Sequence, residues 1–196
     1  MSAANQLPYL MTVAEFLDWP TPDGFDRWEL VDGAPQAMAP SRPRHGLIAS
    51  ETNRFLASHL VDHPRCRVLT EAGVQPGGYN FRIPDLSVTC ETINPDDLLL
   101  REPVLIVDIP SPSNAQDTRG AVLRYMTIPS VHEILVLHSV GIRAELLRRS
   151  PDPPWPQMTL AAGDTVTLEG IGFTAPLASF YRTAMGLERC RGDPAP

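Results

Sequence analysis

Two short apolar runs each carry one carboxylate: Phe81-Arg82-Ile83-Pro84-Asp85-Leu86-Ser87-Val88 and Pro103-Val104-Leu105-Ile106-Val107-Asp108-Ile109. Runs of this length predict buried strands rather than helices. An ionised Asp inside such a run is costly unless a hydrogen-bond network, an arginine or a bound cation compensates it. If the strands are neighbours, Asp85 and Asp108 stand side by side, and each raises the other's pKa unless a metal neutralises the pair. A hard, oxygen-rich pair of this kind suits Mg²⁺ or Mn²⁺. The alternative is that both side chains sit at strand ends and only accept backbone N–H bonds, and the residues themselves leave both readings open.

The elements around these runs decide what else could join them. Thr12 with Glu15 three residues on is a capping-box pattern, predicting a short helix that stops before Pro20, with Val13, Phe16 and Leu17 on its apolar face. Arg27–Val31 and Ala34–Met38 flank Asp32-Gly33, a strong two-residue hairpin signal. Glu29 on the first of these strands reads as a solvent-facing residue, or as a third acid turned toward the pair. Ser41-Arg42-Pro43-Arg44-His45-Gly46 is a basic loop leading into a helix from about Leu47 to Leu60. Arg42, Arg44 and His45 therefore gather near a helix N-terminus, where backbone N–H groups favour anions, or form an ordinary solvated cap.

Farther along, Arg65–Val74 predicts a strand, with Gly77-Gly78 turning the chain into the Asp85 run as an antiparallel pair. After Asp108, Pro110–Asn114 is a loop in which Ser113 or Asn114 can cap a helix from about Ala115 to Met126. Ser130–Leu137 and Ile142–Leu147 predict two more strands, and Pro151–Pro156 an exposed loop. A segment from Asp164 to Leu168 and a terminal helix from Pro176 to Met185 follow. These elements predict an α/β (α+β) fold with a mixed central sheet flanked by helices. Residues 1–187 read as a single domain, and 188–196 have the composition of a disordered tail.

Composition bounds the function. The chain of 196 residues carries a formal net charge of −7, which argues against gripping nucleic acid over the whole surface. A nucleic-acid site must then be a local basic patch. Every basic residue is Arg and Lys is absent, so no lysine of this chain can take part in catalysis. No apolar run approaches the ~20 residues of a membrane span, and no signal peptide is visible. Cys66, Cys90 and Cys190 are odd in number and lack CxxC spacing, so they read as reduced thiols in a cytoplasmic protein.

The succession Trp28-Glu29-Leu30-Val31-Asp32-Gly33, Ser41 with Arg44-His45-Gly46, Arg82-Ile83-Pro84-Asp85, Val107-Asp108-Ile109-Pro110-Ser111-Pro112-Ser113, then Asp117, Tyr125 and Ile128-Pro129-Ser130-Val131 resembles the Uma family. That family belongs to the PD-(D/E)XK, restriction-endonuclease-like superfamily, and the likeness runs from about Thr12 to Leu187. The resemblance implies a metal-dependent phosphodiesterase, with Asp85 and Asp108 holding Mg²⁺ or Mn²⁺. It adds Glu29 and His45 to the catalytic set and implies DNA, more than RNA, as substrate.

Two departures bear on activity. The family's lysine corresponds here to Ala121, and Arg124 is the nearest surrogate on that helix, able with Arg44 to contact phosphates. At 108, Asp stands in place of Glu and withdraws the ligand by one methylene. The sequence therefore supports two functions, a metal-dependent endonuclease and a catalytically weakened nuclease-fold protein that binds nucleic acid or a protein. A third reading is a homodimeric interaction module with a structural acidic pair.

Overall fold

The structure, a computed structural model, describes residues 9–22, 27–110, 115–152 and 154–186. The expected cap at Ser113 or Asn114 and the tail 188–196 lie outside them, as does the side chain of Asp117.

Helix α1 (Val13–Leu17) forms with the predicted capping box: Thr12 Oγ1 accepts from the Glu15 N–H at 3.3 Å, and Glu15 Oε2 accepts from the Thr12 N–H at 2.8 Å. Strands β1 (Trp28–Val31) and β2 (Ala34–Ala37) make the hairpin, with Asp32 at φ 49° and Gly33 at φ 79°. Two consecutive positive φ values are what a two-residue turn matching strand twist requires, and Asp-Gly supplies them at low cost. Gly33 has a second reason: a Cβ there would meet Leu10 Cβ at 2.8 Å.

Helix α2 (Pro43–Leu60) starts earlier than the periodicity predicts, because Pro43 takes the first helical position with Arg42 as N-cap. Then come β3 (Arg67–Thr70), β4 (Leu86–Thr89), β5 (Pro103–Asp108), α3 (Ala115–Tyr125), β6 (Glu133–Leu137) and β7 (Arg143–Arg148). Strand β8 (Gln157–Ala161) was not expected, and neither was β10 (Phe173–Pro176), which pairs with β9 (Thr165–Leu168). The predicted terminal helix is instead a short 3₁₀ segment, Leu177–Tyr181.

The central sheet has six strands in the order β3-β4-β5-β6-β7-β8. Only β5 and β6, joined through α3, run parallel; the other pairs are antiparallel, so the sheet is mixed as predicted. Alternation along each strand sorts the core into two layers. Leu86, Val88, Leu105, Val107, Leu135 and Leu137 pack with Ile48, Leu56 and Leu60 of α2. Ile106, Ile134 and Val136 point the other way, against Ala121, Val122 and Tyr125 of α3. A third cluster, Val13, Phe16, Leu30 and Phe81, fixes α1 and the hairpin to the body, reinforced by reciprocal Leu30–Phe81 backbone bonds of 2.9 and 3.0 Å.

The expectation of reduced cysteines also fails. Cys66 and Cys90 are not free thiols but form a disulfide across 24 residues of chain. Arg67 pairs with Thr89 in the β3–β4 ladder, so the next residues outward, Cys66 and Cys90, fall opposite each other. Counting cysteines cannot reveal a register, and an odd number leaves Cys190 over. Reduction, or Cys66→Ser, should lower stability by about 2–4 kcal/mol, since the unfolded chain regains loop entropy. Thermal melts with and without dithiothreitol measure this, and thiol titration of the unreduced, unfolded chain should find a single reactive cysteine.

Candidate active site

Asp85 lies one residue before β4, and Asp108 ends β5. Leu86 is paired with Val107 in the antiparallel ladder, so extending the register by one residue sets Asp85 opposite Asp108. Opposed residues of an antiparallel pair share a face. Asp108, beside Val107 of the α2 layer, turns to the α3 side, and Asp85, in the bend before β4, meets it at the strand ends. Their backbones interlock them: Asp85 Oδ2 accepts from the Ile109 N–H at 2.6 Å, and the Asp108 carboxylate accepts from the backbone of Asp85. Both acids accept backbone N–H bonds at the strand ends, and they also stand beside each other.

His45, in the first turn of α2, reaches this pair. Its Nε2 stands 2.9 Å from Asp85 Oδ1, with both side chains mostly buried. The hydrogen bond to Asp85 raises the imidazole pKa against the opposing effect of burial, and the charges of Asp85, Asp108 and Glu71 add to the rise. His45 is thereby biased toward the cationic form that holds Asp85 in place. Because Pro43 starts the helix, Arg44 and His45 sit beside its free N–H groups, with Arg44 exposed.

Glu29 does not face solvent, which corrects one of the two sequence readings. β1 buries both Glu29 and Leu30, so both faces of the strand are covered and the alternation that would turn Glu29 outward does not operate. Glu29 Oε1 accepts from the Ile83 N–H at 2.7 Å, and Oε2 lies 3.3 Å from Arg82 Nη1. Arg82 in turn bonds the hydroxyl of Tyr125. Burial first, then the charges of Asp108 and Glu29, hold that phenol well above its ordinary pKa.

These groups line one cleft of about 1040 Å³ between the hairpin, the start of α2, α3 and the ends of β4 and β5. It contains Glu29, His45, Asp85 and Asp108, and with them Arg44 and Arg124. Arg124 is already engaged: it forms an ion pair with Asp32 of the hairpin turn, Nε to Oδ1 at 3.2 Å. A phosphate there competes with a carboxylate. Ala121 is buried, 1 % exposed, in the apolar layer beneath α3.

Sequence reasoning missed Arg82 and Tyr125 as site residues. The signal for Arg82 was present, because a charge inside Phe81-Arg82-Ile83 needs the same explanation as Asp85. Tyr125 carried none, since a tyrosine on a packing face reads as core.

The carboxylates carry a visible electrostatic load. Burial, then the charges of Asp85 and Glu29, push the Asp108 carboxyl up to about 8, with Arg82 and the Asp85 backbone bond pulling it down. A divalent cation relieves that repulsion, so the oxygen donors fit Mg²⁺ or Mn²⁺ in kind. In number the donors are few: among the described residues no three of His, Cys, Asp and Glu converge closely enough to hold a metal. Two carboxylates, with phosphate and water completing the shell, are nonetheless a common Mg²⁺ arrangement.

The chain matches the Uma2 family model, described as "Putative restriction endonuclease", over residues 13–178. It belongs to that family. Its fold is shared by a crystal structure described as "a putative nuclease belonging to DUF820" from Anabaena variabilis, with a TM-score of 0.75 at 16% identity, covering 89% of this chain and 99% of the other. No curated protein matches the sequence.

The strain at Asp108 gives a pH signature. The folded carboxyl titrates near 8 against an ordinary 3.8, so between those values the folded state keeps a proton that the unfolded state has released. Asp108 therefore costs stability progressively as pH rises through that window, and the cost is constant above it. Asp108→Asn lacks the slope. The variant should gain on wild type between pH 5 and pH 8.5, by on the order of 2 kcal/mol or ~5 °C, with solvent screening keeping the gain below the full shift. Metal-free melts across that range check it; a pH-independent difference would mean that Asp108 is not burdened by its neighbours.

Proposed function

We propose that this chain is an endonuclease that hydrolyses phosphodiester bonds, with DNA rather than RNA as substrate, using Mg²⁺ or Mn²⁺ held by Asp85 and Asp108. The observation that carries this reading is the opposed acid pair in a cleft rimmed by arginines. When bound, the cation supplies Lewis acidity to a phosphoryl oxygen and acidifies water. The rest is the work of this chain's own groups. His45 orients Asp85, and Glu29 completes the acidic floor. Arg44 at the start of α2 draws in the phosphodiester backbone as a local basic patch on a chain of net charge −7. In the hydrolysis a water oxygen bonds to phosphorus, the ester P–O bond breaks, and a proton of the water ends on the leaving oxygen.

Specific observations favour the second reading, a binding module of reduced activity. Ala121 offers no ammonium, and Arg124 is held by Asp32. An arginine also stays protonated, so Arg124 cannot serve as a base. In that case DNA binds in the cleft and is not cut.

Plasmid nicking in Mn²⁺ separates the two. Wild type should nick, chelation should stop it, and Asp85→Asn or Asp108→Asn should slow it at least ~100-fold, about 3 kcal/mol of barrier. Undiminished nicking by Asp85→Asn would put the activity elsewhere. Binding without nicking would establish the second reading. Independently, a cation that binds only the native pair should raise wild-type stability by about 2.7 kcal/mol at a hundredfold excess over Kd, and do so in neither Asn variant. One cleft cuts one strand, so a linear product under single-hit conditions, with a sedimenting dimer, is expected if a homodimer is the active form.

A further inference from the structure

The acidic floor raises a problem that the metal ligands alone do not solve. Glu29, Asp85 and Asp108 bring three carboxylates to the place where an anionic phosphodiester must enter. The exposed Arg44 can attract the strand but is not held at the floor. Arg124 is bound to Asp32. Among the described arginines that line the cleft, the most deeply buried is Arg82, 4 % exposed and paired with Glu29.

Its backbone is clamped by reciprocal bonds to Val74 of 2.8 and 2.9 Å, and its guanidinium is gripped by Glu29 at 3.3 Å and by the Tyr125 hydroxyl. Tyr125 stands one turn beyond Ala121 on the same side of α3, and both lie in the apolar layer under that helix. Tyr125 thus reaches the cleft from α3 while Ala121 stays in the core, and the guanidinium beside it is delivered from the sheet side.

Resting on the nuclease reading above, we infer that Arg82 is a catalytic residue, donating to a non-bridging oxygen of the scissile phosphate as negative charge builds there. A guanidinium stays protonated and so moves no proton; it stabilises charge from a preorganised position. The fold carries the cation on the strand segment before Pro84-Asp85, next to the acids it offsets.

The experiment compares cleavage of a phosphodiester with cleavage of its two phosphorothioate diastereomers in Mn²⁺. The variants are Arg82→Lys and Arg82→Gln, and, if Arg82→Gln does not fold, Glu29→Gln/Arg82→Gln, which removes both charges together. Loss of one preorganised donor should lower kcat ~100-fold on the phosphodiester and change KM far less. It should lower kcat much less on the diastereomer whose sulfur replaces the oxygen that Arg82 contacts. A merely structural arginine would cost the same factor on all three substrates, and that result would overturn the inference while leaving the nuclease reading intact. Wild type that nicks no substrate would overturn both.

Discussion

The register between β4 and β5 is the constraint on which the site depends. Leu86 opposite Val107 places Asp85 opposite Asp108, and the 2.6 Å bond from the Ile109 N–H to Asp85 locks that alignment at the strand ends. A slip of one residue in either strand would turn its apolar residues, Leu86 or Val107 among them, out of the α2 layer. The two-layer core is thus the force that holds the carboxylates together. Its hydrophobic burial offsets a repulsion that the acids by themselves could not sustain.

The remaining groups are arranged around that repulsion. His45 comes from a helix whose start is set by Pro43, and Arg82 from the strand segment that bridges to Val74. Each cation is held by a carboxylate, His45 by Asp85 and Arg82 by Glu29. The floor is therefore an acidic set of fixed charges in which two of the three carboxylates have a cationic partner. In a partly water-excluded cleft such fixed charges act more strongly than exposed ones, which bears on why the rim arginines and the buried one serve different ends. In the proposed reaction the rim arginines govern approach and the buried guanidinium faces the chemistry.

The proposed activity must be reached without any lysine. Asp108 is shorter than the residue expected there by resemblance, and Ala121 contributes packing alone. The Asp32–Arg124 pair joins the hairpin turn to α3, so the helix cation nearest the cleft is spent on holding two walls together.

Much of this was legible in the residues. The capping box of α1, the Asp-Gly turn, the strand ending in Asp108 and the mixed sheet all follow from local chemistry and short-range periodicity, whereas the Phe81–Val88 run becomes a strand only from Leu86 on. The small strands β8 and β10 and the 3₁₀ end were not, because short elements gain their stability from the sheet and core they join. What only the tertiary structure decided are pairings across long stretches of chain. Glu29 turns inward because Leu30 bridges to Phe81; Cys66 meets Cys90 because of a register; Arg82 reaches Glu29 and Tyr125 from separate elements. The sequence by itself determined which residues could do chemistry and which stretches would be strands. Which charges face one another was decided by strand register and layer packing, since side-chain direction in a sheet depends on the partner strand and on what covers each face.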